Sequence, residues 1–76
     1  MTINQTQVND VVFVEYVKAG KKTEYVGRVE TITPATIGHD ARITVYIGYD
    51  DDGPQYRSFL ESRINQLCLE RRGEYA

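Results

Sequence analysis

The chain has no tryptophan, one cysteine, one methionine, one histidine and two prolines among its 76 residues. Each scarcity excludes something. A single thiol, Cys68, makes neither an internal disulfide nor a cysteine-rich metal site, so a reducing compartment is expected, in practice the cytoplasm. The one histidine, His39, leaves no paired-histidine metal motif, and no glycine-rich phosphate loop is present, so no cofactor is expected. No apolar run approaches the roughly 20 residues that span a bilayer, so no membrane partner is expected. The opening MTINQTQVND has no basic stretch followed by an apolar one, and no secretory signal is read there. Basic residues are not in excess: nine Lys and Arg stand against eleven Asp and Glu, for a formal net charge of −2. That balance counts against tight, charge-driven binding to duplex DNA. It leaves room for local basic patches. Lys18, Lys21 and Lys22 crowd into one turn, and Arg57 and Arg63 mark another region.

Sustained helical periodicity is also missing, and alternation takes its place. Residues 10–17, DVVFVEYV, put Val12, Val14 and Tyr16 on one face and Val11, Phe13, Glu15 and Val17 on the other. KAGKK then supplies a turn, and residues 23–33 read as the return strand of an antiparallel hairpin. Gly27 inside that strand marks a bulge or a close approach. Residues 34–41 form a loop. Residues 42–49 alternate again, with Ile43, Val45, Ile47 and Tyr49 opposite Arg42, Thr44, Tyr46 and Gly48. DDDGP turns the chain, residues 55–60 resume a strand, 61–65 make one helical turn, and 65–70 form a short last strand. Residues 1–9 read as a flexible arm and 71–76 as a frayed tail around a single domain over 10–70.

Hydrophobic residues at 41% and charged residues at 26% describe a globular chain. A domain of this size buries only about 60% of its unfolded surface, and a stability of about 5 kcal/mol is expected. A homo-oligomer is one way to raise it. Two-stranded hairpins are marginal alone. The fold expected is therefore mostly β, a small five-stranded barrel of the Sm or Src-homology-3 kind with one short helical turn. An open sheet crossed by a helix is the alternative.

Catalytic constellations are absent from the spacing. Asp50, Asp51 and Asp52 run consecutively, whereas calcium loops place their ligands at alternating positions. They read as a solvated turn, and no metal site is expected. His39 and Asp40 have no nucleophile beside them in sequence. A non-enzymatic binding module is the reading. Tyrosine is the conspicuous surplus, with six residues. Its ring stacks on bases and packs well in protein interfaces. Tyr46 with Tyr56 is the suggestive strand pair. Arg57, Ser58 and Arg63 are read in two ways: they converge at a strand end, where two guanidiniums and a hydroxyl clamp a phosphate or carboxylate, or both arginines pair with surface acids such as Glu61 and Glu70.

The stretch Tyr56-Arg57-Ser58-Phe59-Leu60-Glu61-Ser62-Arg63-Ile64 resembles the end of the WYL domain. Upstream, Tyr16 before Gly20-Lys21, and a second strand ending near Pro34, are similar to the same family. The family's Trp-Tyr-Leu falls on Val45-Tyr46-Ile47, where the tyrosine is kept, and a family arginine falls on Leu60. The resemblance implies an Sm-like barrel that binds single-stranded nucleic acid or a nucleotide-like anion. It also implies a regulatory protein of bacterial or phage type. Ligand contacts would come from Tyr46, Arg57, Ser58 and Arg63, with the turn of Lys18, Lys21 and Lys22 as an accessory. The alternative is a protein-interaction module, either a homo-oligomer or an inhibitor or adaptor of a host protein.

Overall fold

The first hairpin shows how sequence sets backbone here. Ala19 and Gly20 both take positive φ, at 52° and 76°. That combination makes the two-residue turn whose twist matches the flanking strands. It joins β1 (Val11–Lys18) to β2 (Lys21–Thr33), with Lys18 opposite Lys21. The remaining strands are β3 (Arg42–Asp50), β4 (Gly53–Leu60) and β5 (Ile64–Arg71), and a 3-10 turn, Glu61–Arg63, links the last two. The structure is a computed structural model and describes residues 1–73. Among these residues no helix is long and apolar enough to cross a membrane.

All five strands form one antiparallel sheet in the order β4-β3-β2-β1-β5. The fold is mostly β, as the alternation predicts. β2 changes partner along its length. Lys21 to Arg28 pair with β1, and Arg28 to Thr33 pair with β3, so Arg28 alone belongs to both ladders. At this handover the sheet curls over itself. In a flat sheet β4 and β1 would stand about 14 Å apart, three strand spacings. Instead Phe59 of β4 meets Tyr16 of β1 edge-on at 5.0 Å, and Tyr25 of β2 at 5.4 Å.

The barrel expected from the sequence is not closed by a ladder. β4 and β5 remain the two edges of the sheet. The 3-10 turn Glu61–Arg63 links them without a ladder between the two strands.

The inner face carries the core: Val12, Val14, Val29, Ile43, Val45, Phe59 and Leu67, with Ile3 and Ala41 closing the ends. Residues 1–9, expected as a flexible arm, instead hold a 3-10 turn at Ile3–Gln5, and Ile3 is fully buried. Their polarity hid this because one apolar side chain does the anchoring. The expected frayed tail, 71–76, is ordered at its start: Arg71 is the last residue of β5, paired with Val11. Of its residues, Arg72 and Gly73 are tied to the fully buried Asp10, whose carboxylate accepts from Arg72 Nη1 at 2.9 Å, Gly73 N–H at 2.7 Å and Gln7 N–H at 2.8 Å. Residues 74–76 lie outside the described residues.

Asp10 thus joins the chain's two ends, and its removal orphans several donors at once. Asp10→Ala is expected to cost about 2 kcal/mol. Urea unfolding monitored by far-UV circular dichroism measures it, and a loss under about 0.5 kcal/mol would contradict the latch.

Candidate functional site

Cross-strand register places side chains more sharply than sequence proximity does. Directly opposed residues in an antiparallel pair share a face. Following the pairs outward from β5 gives Arg71 opposite Val11, Val11 opposite Arg28, Arg28 opposite Tyr46, and Tyr46 opposite Tyr56. These five residues make one row across all five strands on the outer face. It passes through Arg28, where β2 changes partner.

The middle of the row is in contact. The Arg28 guanidinium carbon lies 5.2 Å from the centre of the Tyr46 ring. Tyr46 and Tyr56 meet edge-to-face at 5.7 Å. Tyr46 is half-buried between its neighbours and Tyr56 is 44% exposed. Cation–π attraction of this kind contributes about 0.5–1 kcal/mol at an exposed site, and an aromatic pair a similar amount. Glu30 fixes the arginine further: Arg28 Nε and Nη2 both donate to Glu30 Oε1, at 3.2 and 2.7 Å. That hydrogen bond, more than the charge attraction, raises the guanidinium's pKa above its ordinary value. The Arg28 Nη1 donors are not spent on Glu30.

Arg28 and Glu30 are two residues apart and so share a strand face, and Glu30 lies at a β-bulge. β2 carries an extra residue between Val29 and Thr31 relative to β3, so Glu30 has no direct partner on that strand. Next along the outer face, Thr44 Oγ1 and Ser58 Oγ are hydrogen-bonded at 2.9 Å. Two hydroxyls therefore flank the two tyrosines.

Of the residues singled out in the sequence, Tyr46 and Ser58 come together on this face. Arg57 and Arg63 do not join them. Arg57 is opposite Val45, a core residue, so it leaves β4 on the inner side at the free edge. There it is exposed and donates from Nη1 to its neighbour's carbonyl, Tyr56 O, at 3.1 Å. Adjacent strand residues point to opposite faces, which separates Arg57 from Ser58. Arg63 sits on the exposed 3-10 turn and lines a shallow cleft with Val17, Ser62, Ile64 and Asn65. Lys18, Lys21 and Lys22 occupy the hairpin tip, about 24 Å along β1 from Val11. Lys22 pairs there with Glu15 at 3.4 Å. The Glu15 pKa is lowered chiefly by a hydrogen bond from Asn65, then by Lys22.

The sequence reading missed Arg28, Glu30 and Arg71. Arg28 is an unremarkable polar strand residue until register sets it against Tyr46. The other candidates resolve into structure. Asp40 accepts from Ala41 N–H and Ser62 N–H, and its pKa is lowered chiefly by Ser62. Asp50 Oδ1 accepts from Asp52 N–H and Gln55 Nε2 within the turn. Among the described residues no three His, Cys, Asp or Glu side chains gather as metal ligands. Cys68 lies half-buried beside Phe13, which stands between it and Val26 in register on the outer face. Compared with known proteins, the chain matches no family model and no curated sequence.

Proposed function

We propose that this domain is a non-enzymatic binding module whose outer sheet face takes single-stranded nucleic acid or a nucleotide-like anion. One observation carries the reading: Arg28, Tyr46 and Tyr56 stand in register and in contact on a solvent-facing surface. Aromatic faces on a sheet stack bases whatever their identity, and a neighbouring guanidinium supplies phosphate contact. The likeness of the Tyr56–Ile64 stretch to the WYL domain supports the same ligand class, with a regulatory role. The surplus of acids over bases limits such binding to a few phosphates. With two neutralised, the log–log salt dependence for a single strand has a slope of only about −1.4.

Fluorescence anisotropy with labelled single-stranded DNA and RNA tests this. Tyr46→Ala is expected to weaken binding by about 1–3 kcal/mol. Arg57→Ala, on the other side of the sheet, leaves it unchanged. Absent binding, or a Tyr46→Ala variant that binds like the parent, overturns the proposal.

A second reading, protein docking, rests on the neighbouring row Cys68, Phe13 and Val26, where Val26 is 55% exposed. Apolar side chains on a sheet face suit a protein surface better than a phosphate backbone. Mass in solution separates the two: a stable oligomer favours docking, and a monomer that binds oligonucleotide favours the first.

A further inference from the structure

The row does not end at Arg28. Beyond it, past Val11, Arg71 completes the row on the edge strand β5. Arg28 and Arg71 are both register partners of Val11, so their backbones stand about 10 Å apart. Between them and Gly73 lies a cleft of about 390 Å³, lined by Asn9, Arg28, Arg71, Arg72 and Gly73.

Three guanidiniums line this one cleft, and two have acidic partners. Arg28 is held by Glu30, and Arg72 donates from Nη1 to Asp10 at 2.9 Å. Asp10 is completely buried, so its charge lies behind the cleft rather than in it. Arg71 is exposed, and its side chain makes no hydrogen bond or ion pair among the described residues. Among the described residues the cleft therefore carries one more positive charge than its acidic partners offset, and two of its three guanidiniums are positioned by contacts made elsewhere. Arg28 is set by Tyr46 and Glu30, and Arg72 and Gly73 are set by Asp10.

We infer that this cleft is a phosphate site, and that it holds the phosphate of the nucleotide whose base lies on Tyr46. The second half of that statement rests on the function proposed above; the first half does not. Fixed guanidiniums match the oxygens of a phosphate, and prior positioning lowers the entropy lost on binding. The spacing also suits a nucleotide. Tyr46 is one strand from Arg28, about 5 Å away, which places stacking surface and cationic cleft side by side. Arg71 is the residue on which affinity turns, because its side chain has no acidic partner among the described residues.

Nuclear magnetic resonance titration with inorganic phosphate, against sodium chloride at matched ionic strength, tests the site. Phosphate is expected to shift the amides of Asn9 and Gly73 and the Arg71 side-chain Nε signal, and chloride is not. Arg71→Gln is expected to weaken the phosphate response about tenfold. Arg57→Gln, on the other side of the sheet, retains it. Thermal unfolding confirms that each variant is folded. Anisotropy with 5′-phosphorylated and 5′-hydroxyl oligonucleotides then locates the phosphate. A preference for the phosphorylated end that Arg71→Gln removes assigns a terminal phosphate. Equal binding that Arg71→Gln weakens for both assigns an internal one. Phosphate shifts that persist when no oligonucleotide binds keep the site and overturn the nucleic-acid reading. Oligonucleotide binding that needs Tyr46 but is indifferent to Arg71, with no phosphate shifts, overturns the site and keeps that reading. Shifts identical in the parent and in Arg71→Gln also overturn it.

Discussion

Replacing Phe59 with alanine is expected to remove about 4 kcal/mol of stability. The expectation follows from where the ring sits. Phe59 is 2% exposed and lies near the end of β4, an edge strand. Edge strands are held on one side only, and here the ring reaches across the curled sheet to Tyr16 and Tyr25. It is therefore the contact that keeps the curl from opening as well as a large apolar body in the core. Truncation leaves a cavity between two aromatic rings that cannot collapse into it without moving strands β1 and β2. The transfer and cavity costs add, and the aromatic pair energies are lost as well. Against a total of about 5 kcal/mol for so small a domain, little remains. The melting temperature is expected to fall by about 15–30 °C. Phe59→Leu, which keeps most of the volume, is expected to lose much less. Urea unfolding of both variants measures the difference. A Phe59→Ala loss below about 1.5 kcal/mol would mean that the curl is held by something other than this ring.

How much of this was legible in the sequence depends on the kind of order in question. Strand positions were legible, because Val12 and Val14, and Ile43 and Val45, alternate with polar or half-exposed neighbours over uninterrupted runs. The same alternation separates Arg57 from Ser58, so their convergence was never compatible with a regular strand. Chain proximity suggested a cluster that strand geometry divides. The bulge at Glu30 left no sequence signal, since neither glycine nor proline marks it. Nor did the pairing of Val11 with Arg71, which depends on how β5 returns to β1 across more than 50 residues of chain. Functional geometry on a sheet is a matter of register, and register between distant strands is fixed by the packed core rather than by local pattern. Tyr46 was identifiable because its residue type carries a signal alone. Arg28 and Arg71 carry one only in company.

The net charge of −2 also looks different once the acids are located. Asp10 and Asp40 accept backbone N–H groups, Asp50 closes a turn, and Glu15 and Glu30 are hydrogen-bonded within the sheet. These carboxylates are committed to the scaffold. Total charge sets the long-range field that a ligand meets on approach, whereas the local arrangement sets what it meets on contact. On the proposed reading, an acidic domain whose Arg71 has no acidic partner among the described residues would select its ligand by position.

Gly27→Ala is expected to cost about 3 kcal/mol and to disturb the outer row together with the fold. Gly27 immediately precedes the residue where β2 passes from one partner strand to the other. A Cβ placed there would lie 2.1 Å from the carbonyl oxygen of Tyr46 and 2.6 Å from Val45 Cγ1. The nearer atom is backbone of β3, which has no rotamer to change. Either β3 retreats, lengthening its bonds to β2, or β2 straightens and draws the curl open. Both responses act on Tyr46, whose own carbonyl is the atom displaced, and on Arg28, the next residue in the chain. Stability and ligand affinity should therefore fall together in this variant. In Tyr46→Ala, by contrast, affinity falls far more than stability, since that ring packs on the outer face and not in the core. Unfolding curves and oligonucleotide titrations on the two variants, with phosphate shifts at Gly73 as a third readout, separate the scaffold from the surface it holds. A Gly27→Ala protein with parental stability would show that β2 and β3 do not approach as closely as the curl requires, and the alignment of Arg28 with Tyr46 would fall with it.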